Sequence, residues 1–127
     1  MAALLTGVTS CKEGKTQDEN PFFAIEEWTT PYGVPPFDQI KAEHYLPAFE
    51  RAMALHEAEI DAIVENNDEP TFENVIEAYD AAGEMLYQVN LIFGMVSAAE
   101  MTDELQQIME QMMPRLAAHG DKIGMNE

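Results

Sequence analysis

Leu46, Phe49, Met53, His56, Ile60 and Ile63 recur at spacings of three and four residues, which on an α-helix places them on one stripe. Ala48, Ala52, Ala58 and Ala62 favour the same helix and allow a neighbour to approach closely. Pro47 suits a first helical turn, where its missing N–H has no partner to lose. A helix is therefore predicted from Tyr45 or Leu46 to Val64 or Asn66, stopped by Asn66-Asn67-Asp68-Glu69-Pro70. Thr71 caps the next, with Glu73 in its first turn where negative charge suits the helix dipole. Its stripe is Phe72, Val75, Ile76, Tyr79, Leu86, Val89, Phe93 and Val96. Gly83 falls inside that span at a cost of roughly 1 kcal/mol relative to Ala, which a close helix crossing could offset. Thr102, Asp103 and Glu104 start a further helix carrying Leu105, Ile108, Met109, Met112, Leu116 and Ile123, with a kink expected at Pro114. The short connection from Ala98 to Glu100 predicts that this helix and the one before it are antiparallel neighbours. No segment alternates apolar and polar residues in β-branched company for long enough to make a strand. The predicted fold is all-α, an antiparallel bundle of about three long helices.

Ahead of the bundle, Pro35-Pro36-Phe37-Asp38-Gln39-Ile40 favours an extended, polyproline-like approach. Phe37 is the expected anchor and Asp38 the cap of a short turn. Asn20-Pro21-Phe22-Phe23 and Trp28-Thr29-Thr30-Pro31-Tyr32-Gly33 place aromatics among turn formers, the pattern of a loop lying on a surface that it helps to bury. Residues 21–127 are thus helical body preceded by an aromatic, Pro-rich arm. Residues 12–20 read as a polar tether. Residues 1–11 end in Val8-Thr9-Ser10-Cys11, which fits a lipobox: an aliphatic residue, two small residues, then the cysteine that receives lipid. Cys11 is the lipidation candidate. The apolar run before it is too short to span a bilayer and lacks the basic residues of a complete signal peptide. It reads as a partial lipoprotein signal, with Met1 an internal start.

The sequence has 24 acidic against 6 basic residues, a net charge of −18, which excludes nucleic-acid binding because phosphates need clustered Lys and Arg. Contact with an anionic membrane surface is disfavoured by the same sign, so a membrane enters only through a lipid anchor. The nine methionines on helical stripes read as gap-filling core. His56-Glu57 opens like the zinc-protease signature His-Glu-x-x-His, yet the second histidine's position holds Ile60. His56 is therefore expected to be a satisfied or partly buried core histidine. His44 sits near a helix start and His119 near a helix end, where the carbonyls favour a protonated imidazole. No spacing recommends the three histidines as a metal site. The two serines, Ser10 and Ser97, lack a nucleophile-elbow context, and there is no phosphate-binding Gly-rich loop. No catalytic, cofactor-binding or metal residue is assigned to this chain.

Asn20-Pro21-Phe22, then Pro31-Tyr32-Gly33-Val34-Pro35-Pro36-Phe37-Asp38-Gln39-Ile40, then His44-Tyr45-Leu46-Pro47-Ala48-Phe49, then Pro70-Thr71-Phe72-Glu73-Asn74 resemble the N-terminal region of thimet-oligopeptidase-like zinc metallopeptidases. Within that family the blocks look most like those of bacterial peptidyl-dipeptidases. The resemblance implies a large helical enzyme with a deep channel, whose zinc is held by a His-Glu-x-x-His helix and a later glutamate in the C-terminal half. None of those residues maps onto this chain. What it implies here is a channel-walling helical segment that is inactive alone, with the catalytic half as its partner, short peptides as the parent's substrates and the bacterial cell envelope as its location. A free-standing helical lipoprotein acting as a binding module is the alternative.

Overall fold

A computed structural model describes residues 20–125; the tether and Cys11 lie outside them, apart from Asn20. Among the described residues there are helices and no strand, in agreement with the predicted class. The long helices are α1 (Ala42–Val64), α3 (Glu84–Ala99) and α4 (Asp103–Gly124), with a single-turn α2 (Ala78–Ala81) ahead of α3. Helix α1 is the centre: it packs on both α3 and α4, which approach each other less closely. The expected pairing of the last two helices is therefore secondary to their common contact with α1. Its stripe explains why. Tyr45, Ala48, Phe49, Ala52, Met53 and Ile60 are all buried, so small and large side chains share its packed face.

Helix α1 begins three residues earlier than the earliest predicted start, at Ala42 rather than Tyr45. His44 makes that possible, because its Nδ1 accepts the Lys41 N–H at 3.1 Å in a reciprocal cap. Pro47 consequently lies inside the helix rather than in its first turn. Helix α4 is capped as expected by Thr102, whose hydroxyl accepts the Leu105 N–H at 3.2 Å, and it runs as one helix across Pro114.

The largest departure lies between Thr71 and Ala99. In place of one helix there is a wide π-helical segment, Phe72–Glu77, then α2, then a break, then α3. Thr71 and Asn74 form a reciprocal cap, Oγ1 accepting from Asn74 N–H at 3.1 Å and Asn74 Oδ1 accepting from Thr71 N–H at 2.7 Å. That pairing accounts physically for the Thr-Phe-x-Asn start. The break is at Gly83, which has φ 80°, a left-handed conformation that only glycine adopts without penalty. Gly83 is thus a joint rather than a costly helical residue, though the close approach expected there is real: a Cβ would lie 3.1 Å from the His56 ring.

The arm makes 3₁₀ turns over Pro21–Glu27 and Pro31–Gly33, with extended backbone at Trp28, Thr30 and Val34 between and after them, and its anchor is Phe22, fully buried, while Phe37 is exposed. Phe22 wins because Asn20 fixes its backbone. The Asn20 side chain accepts from Phe22 N–H at 3.1 Å and donates to the His44 carbonyl at 2.9 Å, so Asn20 is buried core rather than tether. Phe22 then meets Tyr45 at 5.4 Å between ring centroids, Tyr45 meets Phe93 at 5.0 Å and Phe93 meets Phe49 at 5.6 Å. This line of edge-on and tilted rings is the core that holds arm, α1 and α3 together.

Candidate functional site

One turn of α1 carries three side chains that reach other elements: His56 and Glu57 meet α4, and Glu59 meets the joint before α3. His56 sits on the buried stripe of α1, and His119 continues the α4 register of Leu105, Ile108, Met112 and Leu116. Because those two stripes face each other, the imidazoles meet, with His56 Nδ1 3.0 Å from His119 Nε2. His119 Nδ1 lies 3.4 Å from Glu57 Oε1, and the other Glu57 oxygen accepts from Lys122 Nζ at 2.8 Å. Glu59 turns the other way, its Oε2 accepting the Gly83 N–H at 2.7 Å. The cluster ties α1 to the last turns of α4 and to the joint before α3.

A carboxylate can only accept, so the Glu57 contact is made by a protonated His119 Nδ1; between the two imidazoles one nitrogen donates and the other accepts, according to tautomer. Burial, together with the neighbouring His119, holds His56 below the ordinary histidine range, against an opposite push from Glu59 and Glu57. Glu57 is held below the usual carboxylate range, first by its hydrogen bond from Lys122, whose own proton affinity Glu57 raises. A carboxylate–imidazole–imidazole line is able to orient a base, but no nucleophile meets it among the described residues. Ser97 is buried on α3 and its hydroxyl has no hydrogen-bond partner among the described residues. Cys11 lies outside them.

Of the three histidines, two converge and one does not. His44 serves the cap of α1 and lies apart from the pair. His56 is the partly buried core histidine that its stripe predicts. His119 is different from expectation: it is 7% exposed and paired inward rather than presented at a helix end. Separation by 63 positions hid the pair, although both residues stand in register with apolar stripes. The described residues do not fit a zinc centre. Ile60, where the second histidine of the zinc signature would stand, is buried in the core, and no group of three or more His, Cys, Asp or Glu able to hold a metal occurs among the described residues.

The other distinctive surface is apolar. Phe72, Ile76 and Tyr79 are exposed on the segment before Gly83, and Tyr87, Leu91 and Met95 are exposed on α3. The sequence stripe that included the first three therefore reaches the core only from Leu86 onward. No helix is long and apolar enough to cross a membrane among the described residues.

No protein-family profile matches the chain. It is similar to the dipeptidyl carboxypeptidase of Escherichia coli (strain K12), 42% identical over 107 residues, which are 84% of this chain and 15% of that protein. The dipeptidyl carboxypeptidase of Salmonella typhimurium is 36% identical over 102 residues, 80% of this chain and 15% of the relative. Oligopeptidase A of Salmonella typhimurium is 26% identical over 98 residues, 77% of this chain and 14% of the relative. The resemblance read from the Pro-, Phe- and Thr-containing blocks therefore extends over most of the chain, consistent with an N-terminal fragment of a peptidase. The chain spans about 15% of the length of the dipeptidyl carboxypeptidases it matches.

Proposed function

We propose that this chain is a channel-walling helical segment of an exported zinc metallopeptidase that removes C-terminal dipeptides from short peptides. The observation that carries the reading is the 42% identity to a dipeptidyl carboxypeptidase over a stretch that is 15% of that protein, beside a set of described residues that does not fit the zinc. When bound in the parent, the zinc supplies the polarised water for peptide hydrolysis. The residues of this chain do something else: they build a helical wall and hold its joint at Gly83 through Glu59 and His56. By itself the chain hydrolyses nothing. Its parent works in the bacterial cell envelope, held there through lipid on Cys11.

Reading the coding DNA beyond Glu127 tests the first part. The reading expects an open frame that continues into His-Glu-x-x-His; a stop codon directly after Glu127 contradicts it. Labelling with a radioactive fatty acid in the native host tests the second, with incorporation expected for the natural protein and lost in Cys11→Ala. Unlabelled natural protein removes the anchor from the account and leaves the peptidase assignment standing.

A further inference from the structure

Helix α3 is apolar on both sides. Its inner side chains Val89, Ile92 and Phe93 are buried against the rest of the bundle, while Tyr87, Leu91 and Met95, spaced at one-turn intervals along the opposite side, are 67%, 46% and 45% exposed. The only charged residue in Glu84–Ala99 is Glu84, at its first position. The helix's outer polar groups are the exposed Asn90 and the Glu84–Gln88 hydrogen bond at 3.1 Å; the Tyr, Leu and Met beside them make that side more apolar than the outer side of a surface helix in a free-standing domain, which carries charge. Helix α4 meets that description of a surface helix, with Glu110, Arg115, Asp121 and Lys122 along it. Gly94, between Leu91 and Met95, faces open space where a Cβ would stand; glycine in a helix interior costs about 1 kcal/mol, and bare backbone at that point lets another helix approach closely.

Resting on the peptidase reading above, we infer that the outer face of α3, formed by Tyr87, Leu91 and Met95 beside Gly94, is the surface on which an apolar helix of the remaining peptidase chain packs. The share of the relatives' length that this chain spans, 15%, leaves most of such a polypeptide available as the covering layer. A second copy is the poorer occupant, because joining two chains of net charge −18 opposes association through mutual repulsion. A partner held by ion pairs does not suit a face whose one charged side chain, Glu84, stands at its N-terminal edge.

The test exchanges the 107 matched residues of this chain into the Escherichia coli dipeptidyl carboxypeptidase and places Leu91→Glu in the exchanged segment. Ala58→Glu, on the exposed side of α1, is the control for adding a carboxylate to a helix. In the exchange enzyme Leu91→Glu is expected to lower the yield of active, soluble protein roughly tenfold or more, as burial of an unpaired charge does, while Ala58→Glu leaves it unchanged. In this chain alone, Leu91→Glu leaves the circular-dichroism melting curve in place, because the side chain is already in water. Full tolerance of Leu91→Glu in an active exchange enzyme overturns the docking inference and spares the peptidase reading. A folded but inert exchange enzyme before any point change overturns the reading itself. A dimer of this chain in sedimentation that Leu91→Glu dissociates assigns the face to a second copy and also overturns the inference.

Discussion

Gly83 is the position at which a single methyl group matters most. At φ 80° a Cβ is unfavourable for any L-residue, by roughly 1–2 kcal/mol, and here it would also press on the His56 ring at 3.1 Å. Gly83→Ala is expected to lower the urea midpoint by at least the backbone cost and to shift His56 resonances in an NMR spectrum. A change in stability with unmoved His56 signals would show that the ring does not pack on the joint. His56 itself makes stability depend on pH. Its folded value lies below the ordinary one of 6.5, so as pH falls through that region the unfolded chain takes up the proton first and stability declines. The loss begins near 6.5 and is complete below the depressed folded value; above 6.5 both states are neutral and the contribution is constant. Glu57, depressed from 4.5, acts in a separate and more acidic window, where stability is lost as pH falls through its folded value. Urea unfolding at mildly acidic and mildly alkaline pH should therefore differ more for the natural chain than for His56→Gln. Tyr45 offers the opposite case: its hydroxyl is buried without a hydrogen-bond partner among the described residues. Tyr45→Phe removes that unpaired group and is expected to be neutral or to stabilise by about 1 kcal/mol in thermal or urea unfolding.

At the level of elements, the periodic stripes of α1 and α4 were readable because tertiary packing uses the same face throughout each helix. The Thr71–Ala99 span was not, because its stripe continues in phase across a joint that depends on a contact with another helix. Nothing near Gly83 in the sequence announces that Glu59 takes its N–H. Phe22 rather than Phe37 anchors the arm for a similar reason: both are aromatic residues next to proline, and the choice is made by Asn20, which reaches the His44 carbonyl 24 positions away. Phe22→Ala should accordingly destabilise the fold by roughly 3–5 kcal/mol, whereas Phe37→Ala, with its ring exposed, should cost well under half of that in the same denaturation assay. Equal losses would mean that the arm is held by its prolines instead. The histidine pair belongs to this scale too. Each residue was legible as a stripe position, and their meeting was legible only once α1 and α4 were known to pack on each other.

For the molecule as a whole, acidity and apolar surface coexist, and they separate by element. Helices α1 and α4 carry charge on their outer sides, including the exposed Arg115–Glu50 pair at 2.9 Å, which contributes little because water screens it. Helix α3 and the segment before it carry tyrosine, leucine, isoleucine and methionine outward. The exposed apolar side chains of α3 and of the segment before it, with the match to dipeptidyl carboxypeptidase over 84% of this chain, are what the proposed function uses. The relationship to peptidases was legible as blocks of Pro, Phe and Thr, for which the structure supplies physical roles such as the Thr71–Asn74 cap. The most direct measurement is dipeptide release from the C-terminus of short peptides, followed by chromatography, for the exchange enzyme and for this chain alone, with bound zinc determined on both. The account predicts that the exchange enzyme turns over with zinc bound, and that the chain alone shows neither turnover nor stoichiometric zinc. Turnover by the chain alone with one zinc per molecule would contradict it.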